Sequence, residues 1–165
     1  MTSDPLNYVL ESLQTHLIAN VTDPRTSRAS TSEFVLIGNL LANKTVEYPY
    51  IILNPDSTQS VLASVDGRID STQSAETQNY QVTVLVVTDR HNSYSSNSKS
   101  KLCRNLGSQI INALTRKSQM QTLKTNYDFQ KVSLIGGGRA IYNDETNEWQ
   151  LPLTINIEFL YIYNT

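Results

Sequence analysis

The clearest pattern in this chain is an alternation of apolar and polar residues near its end. Between Trp149 and Tyr163 every second position is apolar, at Leu151, Leu153, Ile155, Ile157, Phe159, Tyr161 and Tyr163. Side chains alternate between the two faces of a strand, so this spacing predicts one strand with one buried face. The run is longer than the usual strand of about five to six residues. Such a length suits the architecture of the fold and also a surface that meets another subunit.

Two segments show helical spacing. Asp4 and Pro5 supply an N-cap acceptor and a proline at the first helical position, so a first helix is predicted from there to about Asn20. A second helix is predicted from about Ser98 to Arg116. Its apolar stripe comprises Leu102, Leu106, Ile110, Ala113 and Leu114.

Strands are predicted between and after these helices. Their ranges are 48–53, 80–88 and 129–135, and residues 34–37 are read as a short strand or a helical turn. The three glycines at 136–138 interrupt the first arm of a terminal hairpin as a bulge. Long polar loops are predicted near 22–33, 54–79 and 89–98, the second as a projecting segment with a loose hairpin around Asp66-Gly67. The pattern therefore predicts a single α+β domain over residues 1–165, with a mostly antiparallel sheet, two main flanking helices and a long C-terminal β-hairpin.

Composition adds that the surface is poor in charge. Of 165 residues, 39% are apolar and 17% charged, whereas Ser and Thr number 35 and Asn 15. One interpretation is that much of the surface contacts protein, because interface cores are depleted of charge. The other is a loop-rich soluble domain. Cys103 is alone, so no intrachain disulfide is expected. Neither a signal peptide nor a membrane-spanning segment is predicted, which favours folding inside the cell.

Positive charge gathers in one region despite a net charge of −2. No acidic residue lies between Asp89 and Asp128, where the chain carries Arg90, Lys99, Lys101, Arg104, Arg116, Lys117 and Lys124. This region is either the solvated face of a helix or a docking surface for an acidic partner or passing DNA. The candidate contacts to subunits or partners are Arg25, Arg28, Asp66, Arg90, Lys99, Lys101, Arg104, Tyr161 and Tyr163.

The sequence offers little for catalysis. Gly136, Gly137 and Gly138 lack the following Lys and Ser or Thr of a phosphate loop. One cysteine and two histidines, His16 and His91, have no zinc spacing. A nucleophilic pair of Cys103 and His91 stays open, because such partners meet in space, but an inert thiol beside the apolar stripe is favoured. We expect no catalytic, metal or cofactor site.

The order of these elements resembles a known family. The segments that carry the resemblance are Tyr-Pro-Tyr-Ile-Ile-Leu at 48–53, Val-Thr-Val-Leu-Val-Val at 82–87, the helix around 102–114, and Leu-Thr-Ile-Asn-Ile-Glu-Phe at 153–159. They look like the tail terminator and tail-completion proteins of long-tailed bacterial and archaeal viruses. The resemblance covers most of the chain by element order.

The resemblance implies a virion structural protein, assembled in the host cytoplasm, that is not an enzyme and needs no cofactor. It implies a homohexameric ring that caps the tail tube, stops its growth and joins tail to head. The implied partners are the tail tube protein and a head–tail connector or neck protein, with transient contact to genomic DNA and none to a membrane. A connector or neck ring is the related alternative. A small ligand-binding or hydrolytic domain is the alternative from another class.

Overall fold

The computed structural model describes residues 4–30, 33–38, 46–56, 61–68, 73–89 and 99–164. Within these ranges the chain forms three helices and seven strands. In chain order they are α1 Pro5–Asn20, β1 Val35–Ile37, β2 Tyr50–Pro55, β3 Val61–Arg68, β4 Gln73–Asp89, α2 Lys99–Thr115, α3 Lys117–Tyr127, β5 Phe129–Gly137, β6 Ile141–Asn143 and β7 Glu148–Asn164. The predicted α+β class with a mostly antiparallel sheet is confirmed.

The sheet is built around its two longest strands, β4 and β7. Its order is β1-β2-β4-β7-β5, and β1 and β2 pair in parallel while β4 and β7 are antiparallel over all 17 residues of each. β7 occupies one side of β4. β2 and β3 share the other side, where β2 pairs with residues 82–87 and β3 with residues 74–79. β5 and β6 lie beside β7 on the side away from β4.

The alternation in β7 is buried as predicted. Leu151, Leu153, Ile155, Ile157 and Phe159 are each at most 4% exposed. They belong to one apolar core with side chains of β4, α1, α2 and α3. The alternating residues of β7 between them are only half-buried. The helical layer therefore packs on the face of the sheet that the alternation marks.

The structure contains a third helix, α3, in addition to the two that the spacing predicts. Met120, Leu123 and Tyr127 recur at helical spacing, but of these only Leu123 is fully buried. Three apolar positions in eleven residues make a weak periodic signal. The helix ends at Asp128, whose φ of 58° places it in the left-handed conformation typical of a helix terminus.

The prediction of a loop over residues 54–79 is wrong. β2 continues to Pro55, β3 covers Val61–Arg68, and β4 begins at Gln73, seven residues before the predicted start. The expected hairpin is present as the antiparallel pair of β3 and β4, but Asp66 and Gly67 lie inside β3 at a register shift, and the connection between the strands falls between Arg68 and Gln73. In β4, residues 73–79 include only one apolar residue, Ala75, so no apolar alternation marks this part of the strand in the sequence. Residues 90–98 of the third predicted loop lie outside the described residues.

The terminal hairpin and its glycine bulge are confirmed. β5 pairs with β7 from Phe129 to Gly137 and shifts register between Leu134 and Gly136. Gly137 has φ of 92°, and a Cβ there would lie 2.0 Å from the carbonyl oxygen of Pro152. The Gly138 amide donates to that same oxygen at 2.9 Å. Both the positive φ and the close approach require glycine at 137.

Candidate assembly interface

The two longest strands of the sheet are longer than the helices that pack on it. Each 17-residue strand, β4 or β7, is about 56 Å long at about 3.3 Å per residue, whereas the 17-residue helix α2 is about 25 Å long. On β4 the side chains of residues 77–81 are half-buried and full burial begins at Val82. On β7 full burial ends at Phe159. We call the end of the sheet at and beyond these points the arm: β3, residues 73–79 of β4 and residues 158–164 of β7, which pair with one another in register.

On the β7 side, the arm has an edge without a neighbouring strand among the described residues. Pairing between β5 and β7 ends at Phe129 opposite Phe159, and among the described residues the segment 160–164 pairs only with β4. Its first amide, that of Leu160, donates to the carbonyl oxygen of Asp128 at 3.1 Å. The segment reads Leu-Tyr-Ile-Tyr-Asn, without charge, proline or bulge. We call residues 160–164 the terminal edge; it lacks the features that protect a sheet edge from pairing with another chain.

A cleft of about 180 Å³ lies beside the terminal edge. Its lining comprises Pro5, Tyr8, Asp128, Phe159, Leu160, Tyr161 and Ile162. The Tyr8 and Phe159 rings, 5.6 Å apart between centroids, contribute aromatic surface to it. The side chain of Ile162 is 46% exposed. The cleft thus borders the β7 edge where β5 stops, and an added strand would find there apolar surface and an edge to which no other described strand is paired.

The other exposed large apolar residues of the described chain lie near the glycine bulge. Leu134 is 41%, Ile135 54% and Ile141 56% exposed. β5 is the outermost strand on this side of the described sheet, so these side chains border a sheet edge. Exposed apolar surface at an edge is typical of a contact region rather than of a solvated surface.

Three of the predicted contact residues fall in the arm. Tyr161 is half-buried beside the cleft, with its ring centroid 6.4 Å from that of Phe159. Tyr163 lies in the terminal edge and Asp66 in β3, and the structure describes the backbone of both. The arm therefore unites residues that are about a hundred positions apart in the chain.

The predicted basic contacts lie elsewhere. Lys99 begins α2, and Lys101 and Arg104 have exposed side chains on that helix. Arg104 also lines a second cleft of about 160 Å³, with Gly107, Ser108, Ile111, Gly138 and Leu151. Arg90 lies outside the described residues. The α2 side chains are accessible to solvent or to a partner, so both interpretations of the basic region stay predictions.

The prediction of Arg28 as a surface contact is wrong. Its side chain is only 2% exposed, and its Nε lies 2.6 Å from Asp23 Oδ2. The guanidinium also donates to the carbonyl oxygens of Glu47 at 2.8 Å and Pro49 at 2.5 Å, and lies 5.6 Å from the Phe34 ring centroid. A planar group with five donors can satisfy several carbonyls at once, which a polar loop sequence does not reveal. Arg28 therefore fixes the 22–30 segment against the start of β2.

Arg25 lies at the margin of the same cluster. Its Nη2 is 2.9 Å from Glu47 Oε1, and the two side chains are 27% and 43% exposed. The Arg25 side chain therefore keeps contact with solvent while it pairs with Glu47 of its own chain. Its partner is in its own chain, but its exposed fraction still allows contact with a neighbour.

Buried polar groups near the core have shifted pKa values. Cys103 is fully buried between α2 and the sheet, and burial raises the pKa of its thiol to about 12. Burial lowers the pKa of His16, whose Nε2 lies 2.9 Å from the Ala113 carbonyl oxygen. His91 lies outside the described residues. A thiol with so high a pKa is almost entirely protonated near neutral pH, which opposes nucleophilic chemistry.

A buried carboxylate that the sequence analysis did not predict lies at the first residue of β7, at the end of the sheet opposite the arm. Glu148 is 7% exposed and accepts hydrogen bonds from the Tyr48 hydroxyl and from Gln150 Nε2, the latter at 3.1 Å. Burial and then Glu148 raise the pKa of Tyr50 to about 12. The sequence gives little indication that Glu148 is buried, because a Glu after a turn normally faces solvent.

Over the part of the chain that the structure describes, no group of three or more His, Cys, Asp or Glu side chains could hold a metal ion. In the same residues no helix is long and apolar enough to cross a membrane. No protein-family model matches the sequence, and no curated protein matches it.

Proposed function

We propose that this chain is a virion structural protein that forms a ring on the end of a viral tail tube, terminates tube growth and joins tail to head. The observation that carries the proposal is the arm, in which two 17-residue strands, longer than the helices packed on the sheet, present an uncharged edge. A long unpaired strand edge is a template for another chain. In a protein that assembles, such an edge is a contact surface.

The distribution of exposed apolar residues supports the same proposal. Ile162 marks the terminal edge, and Leu134, Ile135 and Ile141 mark the region of the glycine bulge. β5 and β3 are on opposite sides of the β4–β7 pair. A ring needs two different surfaces on each copy, because its interface is heterologous and closes after a fixed number of copies. The two sides of this sheet offer such a pair of surfaces.

The exposed cations of α2 extend the proposal to partners. Lys101 and Arg104 project from a helix that has no acidic residue in its first turn. In the proposed assembly they face an acidic surface of the tube or neck protein, or the genome during its passage. Such contacts weaken as salt concentration rises, since exposed charges are screened.

A tube-capping assay tests the proposal. Tail tube protein of the same virus is polymerised with and without this chain, and electron microscopy records tube length and the position of the added protein. We expect shorter tubes with added density at one end only. Protein that ignores tube ends but binds the head vertex would favour the connector alternative. Protein that binds neither would contradict the proposal.

A further inference from the structure

The arm has two edges of matching character. On one side is the terminal edge, five uncharged residues at 160–164. On the other side is β3, which pairs with β4 alone among the described residues and begins with five uncharged residues, Val-Leu-Ala-Ser-Val at 61–65. Neither segment carries a charge that would repel the other. Each one has a row of backbone donors and acceptors without a described partner strand on its outer side.

Strand direction limits how two arms can join. β3 and β7 are both antiparallel to β4, so they run parallel to each other. A rotation about an axis along the arm keeps all strand directions and places the β7 side of one copy beside the β3 side of the next. The new pair would be parallel, and every copy would use each of its two edges once. Pairing of β7 with β7 about a two-fold axis would satisfy one edge and leave β3 open.

We propose that β3 of a second copy pairs in parallel with the terminal edge of β7, so that the arms join into one continuous sheet around the ring. This inference rests on the proposed function and names the contact that closes the ring. Closure removes both edges, as a barrel does. The cleft beside the terminal edge receives the incoming strand between Tyr8 and Ile162.

The hydrogen bond of Leu160 shows which backbone amides of the terminal edge face away from β4. Its N–H is directed away from β4 toward Asp128. In a strand, successive residues direct their amides to opposite neighbours, so the N–H of Ile162 points to the same outer side. Ile162→Pro removes this outer donor while leaving the donors to β4 in place, because proline is tolerated where the N–H faces outward on an edge. Ile162→Val is the matched control that keeps the donor.

Cysteine cross-linking between copies tests the pairing. Ile162→Cys protein is mixed with Val61→Cys, Ala63→Cys or Val65→Cys protein, and the mixtures are oxidised. Because Cys103 is fully buried, it does not compete. We expect covalent dimers in at least one mixture, and a ladder up to the ring size when both cysteines are in one chain. Ile162→Pro should weaken self-association at least about tenfold, and Ile162→Val should not; the unfolding midpoint of each variant confirms that it is folded.

The outcomes separate this inference from the proposed function. Oligomers that form normally with Ile162→Pro and give no cross-link in any mixture would overturn the arm pairing and leave the ring intact. Dimers of Ile162→Cys alone would overturn it in favour of a two-fold β7 contact. A wild-type chain that stays monomeric and does not bind tube ends would overturn both.

Discussion

Replacing Ile157 by alanine should destabilise the fold far more than the same change at Ile162, although both isoleucines lie in β7. Ile157 is fully buried, opposite Tyr80 on β4 and Val132 on β5. The change removes the three carbons beyond Cβ, worth about 2.4 kcal/mol at about 0.8 kcal/mol each. The unfilled cavity brings the expected loss to about 3 to 4 kcal/mol. Ile162 is 46% exposed, so its change should cost less than about 1 kcal/mol.

Urea unfolding followed by circular dichroism measures both values. With a slope of about 2 kcal/mol/M, the midpoint of Ile157→Ala should fall by about 1.5 to 2 M, and that of Ile162→Ala by less than about 0.5 M. Measurements at low protein concentration keep self-association from adding to the stability. Equal losses, or a larger loss at Ile162, would refute the reasoning, because they would mean that the opposite face of β7 is buried.

Three further changes probe the buried polar groups. Arg28→Ala should cost about 3 to 5 kcal/mol, because it leaves Asp23 without its buried partner, whereas Arg25→Ala should cost less than about 1 kcal/mol in the same urea assay; equal costs would contradict the assignment of Arg28 to the interior. Burial lowers the pKa of His16 below its usual 6.5, so the unfolded chain binds the proton first and stability should fall as pH drops below about 6.5. His16→Gln should flatten this part of the profile, and an unchanged slope would count against it. Cys103→Ser should keep fold and assembly, and the native thiol should react with a thiol reagent more than about a hundredfold more slowly than the unfolded one; fast labelling, or loss of function with the fold retained, would reopen the nucleophile hypothesis.

The sequence predicts those parts of the fold in which one face of an element is buried. β7 shows this most clearly, because its apolar alternation and its length are both visible in the printed residues, as is the glycine bulge of its neighbour β5. The arm strands β3 and the first half of β4 have no such signal. Their pairing is made by backbone hydrogen bonds, to which any uncharged polar sequence can contribute.

The candidate interface was predictable only in part, for similar reasons. Tyr161 and Tyr163 stand out in the terminal alternation, but their position beside an unpaired edge depends on where β5 ends. Arg28 looked like a surface contact, since composition around it is polar and its carbonyl partners are about twenty residues away. Long-range hydrogen bonds of this kind have no local pattern.

The molar mass of the purified chain in solution tests the central claim most directly. Size-exclusion chromatography with light scattering over a wide concentration range measures it. We predict a closed oligomer of about 111 kDa, six copies of the 18.5 kDa chain, with a ring visible by negative-stain microscopy. A mass of one chain at every concentration, unchanged when tail tubes are added, would contradict it.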